Sequence, residues 1–298
     1  MNTIPVKPAV VPTGPAIVKP PSSISAPKVL LMGPPGTGKT WSIVTLLQAG
    51  IEVFVLITEP GGEESLLNAV QKVNPSLISK LHWNYVPPVT TGWAGLTEAL
   101  KVVGSSNFQQ ISDMKSGVAK SPDGNIMKLF RQLQNFEDQR TGESFGDVTT
   151  WDGSRALVLD SLSGLNNLAL QHTVGLKPTM NPGEWNVAMN LELMLIEKLT
   201  ADLKCFFVVC AHVDRNVNEV TGGMVVTPAA IGAKLGPKIG RFFSEIVLTK
   251  RIGAKFVWST EELNTDVKNR SLPIGKELDP SFGQLVTAFN NRKKQIGA

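Results

Sequence analysis

The sequence predicts an α/β protein whose central sheet is mostly parallel and flanked by helices. Two observations carry this reading. From Lys28 onward short apolar runs alternate with helical ones. The first such pair brackets a glycine-rich turn, the strand, loop, helix order of a βα unit. With 298 residues and 42% hydrophobic content, the chain is long enough to bury a substantial core.

The elements follow in order. Residues 1–27 hold seven prolines and few large apolar groups, so they are expected to form an extended arm. KVLLMG reads as a strand, GPPGTGK as the turn, and TWSIVTLLQAG as a helix closed by Gly50. EVFVLITE (52–59) is a second strand, followed by the helix GGEESLLNAVQKV with carboxylates in its first turn. LHWNYV and GWAGLTEALKVV repeat the alternation. Between 104 and 153 the sequence becomes polar and glycine-bearing around one expected helix, NIMKLFRQLQNFEDQR, and reads as an insertion or mobile segment. RALVLDS returns to the sheet. From Glu184 to Leu199, Trp185, Ala188, Leu191, Leu195 and Leu199 recur at helical spacing and predict a core-facing stripe. CFFVVCAH is a further buried strand, and DRNVNEVTGGMVVTPAAIGAK reads as a long functional loop. EIVLTKRI and AKFVWST, separated by Gly253, predict antiparallel strands near the C-terminus, and residues 276–298 a basic tail.

Charge and cysteine usage exclude little but point one way. A formal charge of +4 and a pI near 9.0 are compatible with a polyanionic partner and equally with ordinary solubility. Cys205 and Cys210 would face opposite sides of their strand, which argues against a disulfide between them and fits a reducing cytoplasm. No apolar run approaches the roughly 20 residues needed to span a bilayer, and the recurrent prolines leave no signal-peptide core. A cytoplasmic protein with no membrane partner is expected.

The most specific motif is Gly33-Pro34-Pro35-Gly36-Thr37-Gly38-Lys39-Thr40, a match to G-x-x-x-x-G-K-[ST] between a strand and a helix. Its backbone N–H groups and the helix N-terminus can cradle phosphates. Lys39 can neutralise phosphate charge, and the Thr40 hydroxyl can coordinate Mg2+. ATP is favoured over GTP because no N/T-K-x-D guanine-reading stretch occurs. Asp160 ends an apolar strand, where a carboxylate is costly unless it has a partner, so Mg2+ gives it a role; the alternative is a helix cap. Many ATPases follow such an aspartate with a glutamate, but here Ser161 follows. Glu59, at the end of EVFVLITE, is the expected replacement for activating water, with Glu63 and Glu64 as competitors.

These residues resemble the RecA-like P-loop ATPase core, and more closely the compact phage-encoded RecA-core proteins associated with single-strand DNA annealing. In that family the second strand ends in the catalytic glutamate, as VLITE does, and the magnesium strand ends in Asp-Ser, as VLDS does. The resemblance covers about residues 28–275 and implies further roles. His212 would stand at the sensor position, where glutamine is usual, and its protonation would add a pH dependence. Lys177, Arg215, Lys234 and Lys238 would contact DNA from two loops, although the second loop has no stacking aromatic. Lys268 and Arg270, in VKNRS, would reach the nucleotide of a neighbouring subunit. The implied protein is a DNA-stimulated ATPase needing ATP and Mg2+, a homo-oligomer on single-stranded DNA, in the host cytoplasm if phage-encoded, with a single-strand-binding protein as a possible partner. Two alternatives stand beside it. One is an AAA-type remodelling or loading ATPase, which shares GPPGTGKT but normally has Asp-Glu and a helical lid. The other is a nucleotide-gated, non-catalytic DNA-binding switch.

Overall fold

The computed structural model describes residues 24–87, 93–114, 124–175, 177, 179–217, 222–232 and 234–297. Residues 1–23 of the expected arm and 115–123 of the expected insertion lie outside these. In chain order the elements are β1 (Lys28–Met32), α1 (Lys39–Gln48), β2 (Glu52–Ile57), α2 (Gly62–Val73), β3 (Leu81–Tyr85), α3 (Trp93–Ser105), α4 (Phe108–Ser112), α5 (Asn125–Gln134), β4 (Arg155–Asp160), α6 (Leu162–Val174) and α7 (Pro182–Asp202). They continue with β5 (Phe206–Ala211), β6 (Val213–Val217), β7 (Met224–Pro228), α8 (Gly236–Ile239), β8 (Glu245–Ile252), β9 (Lys255–Ser259) and α9 (Gly283–Gln295).

Seven strands form one sheet in the order β3-β2-β4-β5-β1-β8-β9, and β6 and β7 form a separate pair. Every pairing in the large sheet is parallel except β8 with β9, as expected for the C-terminal strands. Helices on both faces explain the near-continuous apolar strands, because alternate side chains enter different cores. Leu30, Leu157, Phe207 and Val209 pack on one side with α5, α6 and α7. Leu31, Val158, Phe206 and Cys210 pack on the other with α1, α2 and α9. Cys205 and Cys210 are both free and fall into these different cores. Among the described residues no helix is long and apolar enough to cross a membrane.

Several expectations are corrected. The second strand ends at Ile57 rather than Glu59. The helix beginning NIMKLF stops at Gln134, where Asn135 turns extended. The following residues are not a loose insertion: Phe136, Val148 and Trp151 enter the core beside Leu129 and Leu133, and Phe136 and Trp151 pack their rings on Phe54. Apolar residues spaced among polar ones hid this contribution. On α7 the buried residues are Ala188, Glu192, Leu195, Ile196 and Leu199, whereas Trp185 is exposed and Leu191 only partly covered. The stripe is rotated because the buried position 192 carries a carboxylate that no hydrophobic pattern would include.

The stretch expected as a loop after β5 is instead an antiparallel ribbon of β6 and β7, paired from Val213 with Pro228 to Val217 with Met224. Residues 218–221 of that stretch lie outside the described residues. The basic C-terminal tail contains α9, which buries Leu285, Val286 and Phe289 while Arg292, Lys293 and Lys294 occupy its last turn. Phe289 lies edge-on to Phe206 at 5.3 Å between ring centroids. Burying such a side chain stabilises by about 1.5–3 kcal/mol. The end of the arm also joins the core, since Ala26 is buried and its N–H donates to the Lys204 carbonyl.

Candidate nucleotide site

The carboxyl ends of β1, β2, β4 and β5 are neighbours in the sheet, so the segments leaving them meet at one edge. The phosphate loop leaves β1. Gly33 donates to the Ala211 carbonyl at 3.0 Å, and a Cβ there would collide with Thr249 on β8. Gly38 caps α1 at φ +86°, a left-handed conformation, and a Cβ on it would come within 2.7 Å of the Phe256 ring. Thr37 Oγ1 is 2.6 Å from Thr249 Oγ1. The loop is therefore clamped between β5 and the β8–β9 hairpin.

Lys39 is nearly buried and donates to the Gly33 and Pro34 carbonyls at 2.7 and 2.9 Å. Burial lowers its pKa, with Cys210, Asp160 and Glu59 opposing that effect. The Thr40 hydroxyl donates to Asp160 Oδ2 at 3.0 Å. Burial raises the pKa of Asp160, against the Thr40 hydrogen bond. Among the described residues no group of three His, Cys, Asp or Glu side chains is arranged to hold a metal. One carboxylate and one hydroxyl nevertheless fit Mg2+, which takes few protein ligands and completes its shell with phosphates and waters. A nearby cation would also offset the desolvation of Asp160.

Glu59 follows β2 by two residues and reaches the same edge. Its Oε1 accepts a short hydrogen bond from Ser161 Oγ, and its Oε2 is 3.4 Å from His212 Nε2. Ser161 thus contacts the acid expected to replace a neighbouring glutamate. Thr58 fixes the spacing: its hydroxyl accepts from Ser161 N at 2.9 Å and donates to Ser161 O at 2.8 Å, across the cis Asp160–Ser161 peptide. The two competing acids point elsewhere. Glu63 accepts from Trp83 Nε1 at 2.7 Å, and Glu64 is exposed in the first turn of α2.

The ribbon starts directly after His212, whose carbonyl accepts from Ala229 N at 2.9 Å where the ribbon returns. Arg215 is exposed on β6, and Lys234 and Lys238 are exposed beyond β7. Lys177 is different: it is buried and held by both carboxylate oxygens of Glu184, at 3.0 and 3.2 Å, so it is not available to track phosphates. Lys268 and Arg270 lie at the other edge of the sheet. Lys268 bridges Ile246 at the start of β8, which pairs with Leu30 of β1, and its ammonium donates to the Phe243 carbonyl at 2.7 Å. Gly33 is three residues further along β1, about 10 Å in an extended strand, so neither cation joins this chain's own loop.

Thr58, Thr249, Cys210 and Phe256 also surround the site and were missed. Their sequence signal is weak, because a threonine or cysteine inside an apolar strand reads as core until register places it beside Asp160 or the loop. Asp160 pairs in register with Cys210, whose thiol burial keeps protonated.

No protein-family model matches the chain, and no curated protein matches it. Among solved structures, the chain is similar to a RadB recombinase at 15% identity and a TM-score of 0.38, covering 84% of this chain and 86% of the other. It is also similar to a prototypical ATPase from the type III secretion system of pathogenic bacteria at 13% identity and a TM-score of 0.37, covering 76% of this chain and 53% of the other. Both likenesses are remote.

Proposed function

We propose that this chain is a Mg2+-dependent ATPase with a RecA-like core that acts as a homo-oligomer on single-stranded DNA, in annealing or recombination within the cytoplasm. The single observation that supports it most is the meeting of Lys39, Thr40, Asp160, Glu59 and His212 at one sheet edge, with the ribbon leaving from His212. The loop amides and Lys39 hold the phosphates. Thr40 and Asp160 hold Mg2+, which when bound neutralises charge on the terminal phosphates. Glu59, oriented by Ser161 and His212, positions and polarises the attacking water. His212 relays nucleotide state to the ribbon through its carbonyl bond to Ala229 N. Arg215, Lys234 and Lys238 supply DNA contacts, and Lys268 and Arg270 act on the nucleotide of a neighbour.

An AAA-type reading fits less well, because strands β8 and β9 follow the site where that family has a helical lid. The test measures ATP hydrolysis with and without single-stranded DNA while sedimentation follows assembly. DNA-stimulated turnover, abolished in Glu59→Gln with ATP binding retained, is expected. Absence of both stimulation and assembly would overturn the proposal, and binding without turnover in the parent would leave a nucleotide-gated switch.

A further inference from the structure

The candidate site is asymmetric about β1. Asp160 ends β4, and Glu59 and His212 follow β2 and β5, all on the β5 side of the phosphate loop, since the sheet runs β2-β4-β5-β1. On the other side β8 and β9 pass the loop. Antiparallel register pairs Thr249 with Trp258 and Arg251 with Phe256, which sets all four on the face of the hairpin that meets the loop and α1. Thr249 contacts Thr37, Trp258 Nε1 donates to Ser42 Oγ at 3.3 Å, and Phe256 lies against Gly38.

Only Phe256 and Arg251 on that face are not consumed by packing. Phe256 is half-buried beside the loop, whereas Trp258 is fully covered. Arg251 is exposed, with its guanidinium carbon 6.0 Å from the Phe256 ring centroid and its Nε donating to the Gly253 carbonyl at 3.1 Å. A triphosphate whose terminal end faces the acids on the β5 side must send its nucleoside toward the β8 side. The surface met there is an aromatic ring with a guanidinium over it, 6.0 Å from its centroid, and both groups can stack on a nucleobase.

We infer that the β8–β9 hairpin is the base platform of the site, with the adenine stacked on Phe256 and flanked by Arg251. The inference rests on the nucleotide reading above and adds the residues that separate a nucleoside triphosphate from a bare polyphosphate. Calorimetric binding of ATP and of inorganic tripolyphosphate, each with Mg2+, tests it on the full chain, in wild type, Phe256→Leu and Phe256→Tyr. Leucine keeps an apolar group against Gly38 but cannot stack, so Phe256→Leu should bind ATP about ten-fold more weakly and tripolyphosphate unchanged, with Phe256→Tyr like wild type. Equal weakening of both ligands would overturn the inference and make Phe256 a support for the loop. Wild type binding ATP no better than tripolyphosphate would overturn it while leaving the phosphate site intact, and binding neither would overturn the nucleotide reading with it.

Discussion

Replacing Glu192 with glutamine should remove much of the protein's sensitivity to mild alkali. Glu192 is 1% exposed on the core face of α7. Its Oε2 accepts from Ile231 N at 3.2 Å, and its Oε1 has no hydrogen-bond partner among the described residues. Burial pushes its pKa from 4.5 up to about 8. The folded chain therefore keeps a proton that the unfolded chain releases between those values, so this contribution to stability is full below pH 4.5 and declines as pH rises toward 8. At about 1.36 kcal/mol per unit, keeping or ionising this buried acid costs on the order of 3 kcal/mol by pH 7. Glutamine retains an oxygen for Ile231 N and cannot ionise. Guanidinium unfolding of both proteins at about pH 5 and pH 8 measures the difference, in which all other titrating groups cancel. The variant should gain on wild type by on the order of 3 kcal/mol across that range. A constant difference at the two pH values would refute a buried, protonated Glu192.

Four further outcomes are expected. Phe289→Ala should lower unfolding free energy by about 3–5 kcal/mol, read by denaturant midpoint, because α9 fills the core; a surface tail would tolerate it. Lys177→Ala should remove a buried ammonium held by Glu184 and cost about 3 kcal/mol of stability with no change in DNA affinity. Arg215→Ala should instead weaken DNA binding and reduce its salt slope by about one, measured by fluorescence anisotropy across salt concentrations. Gly38→Ala should abolish ATP binding in a titration, since it demands a left-handed alanine, about 1–2 kcal/mol, as well as displacement of Phe256.

The sheet was legible because its strands are apolar enough to be buried on both faces and its first turn is a phosphate loop. The ribbon was not, since its strands are five residues each, Val213 to Val217 is polar-rich, Met224 to Pro228 ends in a proline, and they pair mainly with each other outside the large sheet. In the segment 136–151 the signal lay in single aromatic residues whose partner, Phe54, is distant in sequence. For the candidate site, the motif pointed to Lys39 and Thr40, the end of β4 to Asp160, and an acid just past β2 to Glu59. Lys177 looked like a surface cation because sequence does not show that Glu184, one turn into the following helix, is oriented toward it. The base platform was illegible because its two members become neighbours only through hairpin register.

The location of Lys268 and Arg270, at the sheet edge away from the phosphate loop, constrains any assembly in which they serve a neighbour's nucleotide. A two-fold dimer joins identical patches, whereas here two different patches would have to meet. The contact would then be head-to-tail, and such contacts repeat into a ring or an open filament. In a filament the terminal protomer at one end would always hold an unserved nucleotide. Turnover per protomer would therefore climb with filament length and level off, whereas a closed ring would turn over at one fixed rate from the moment it forms.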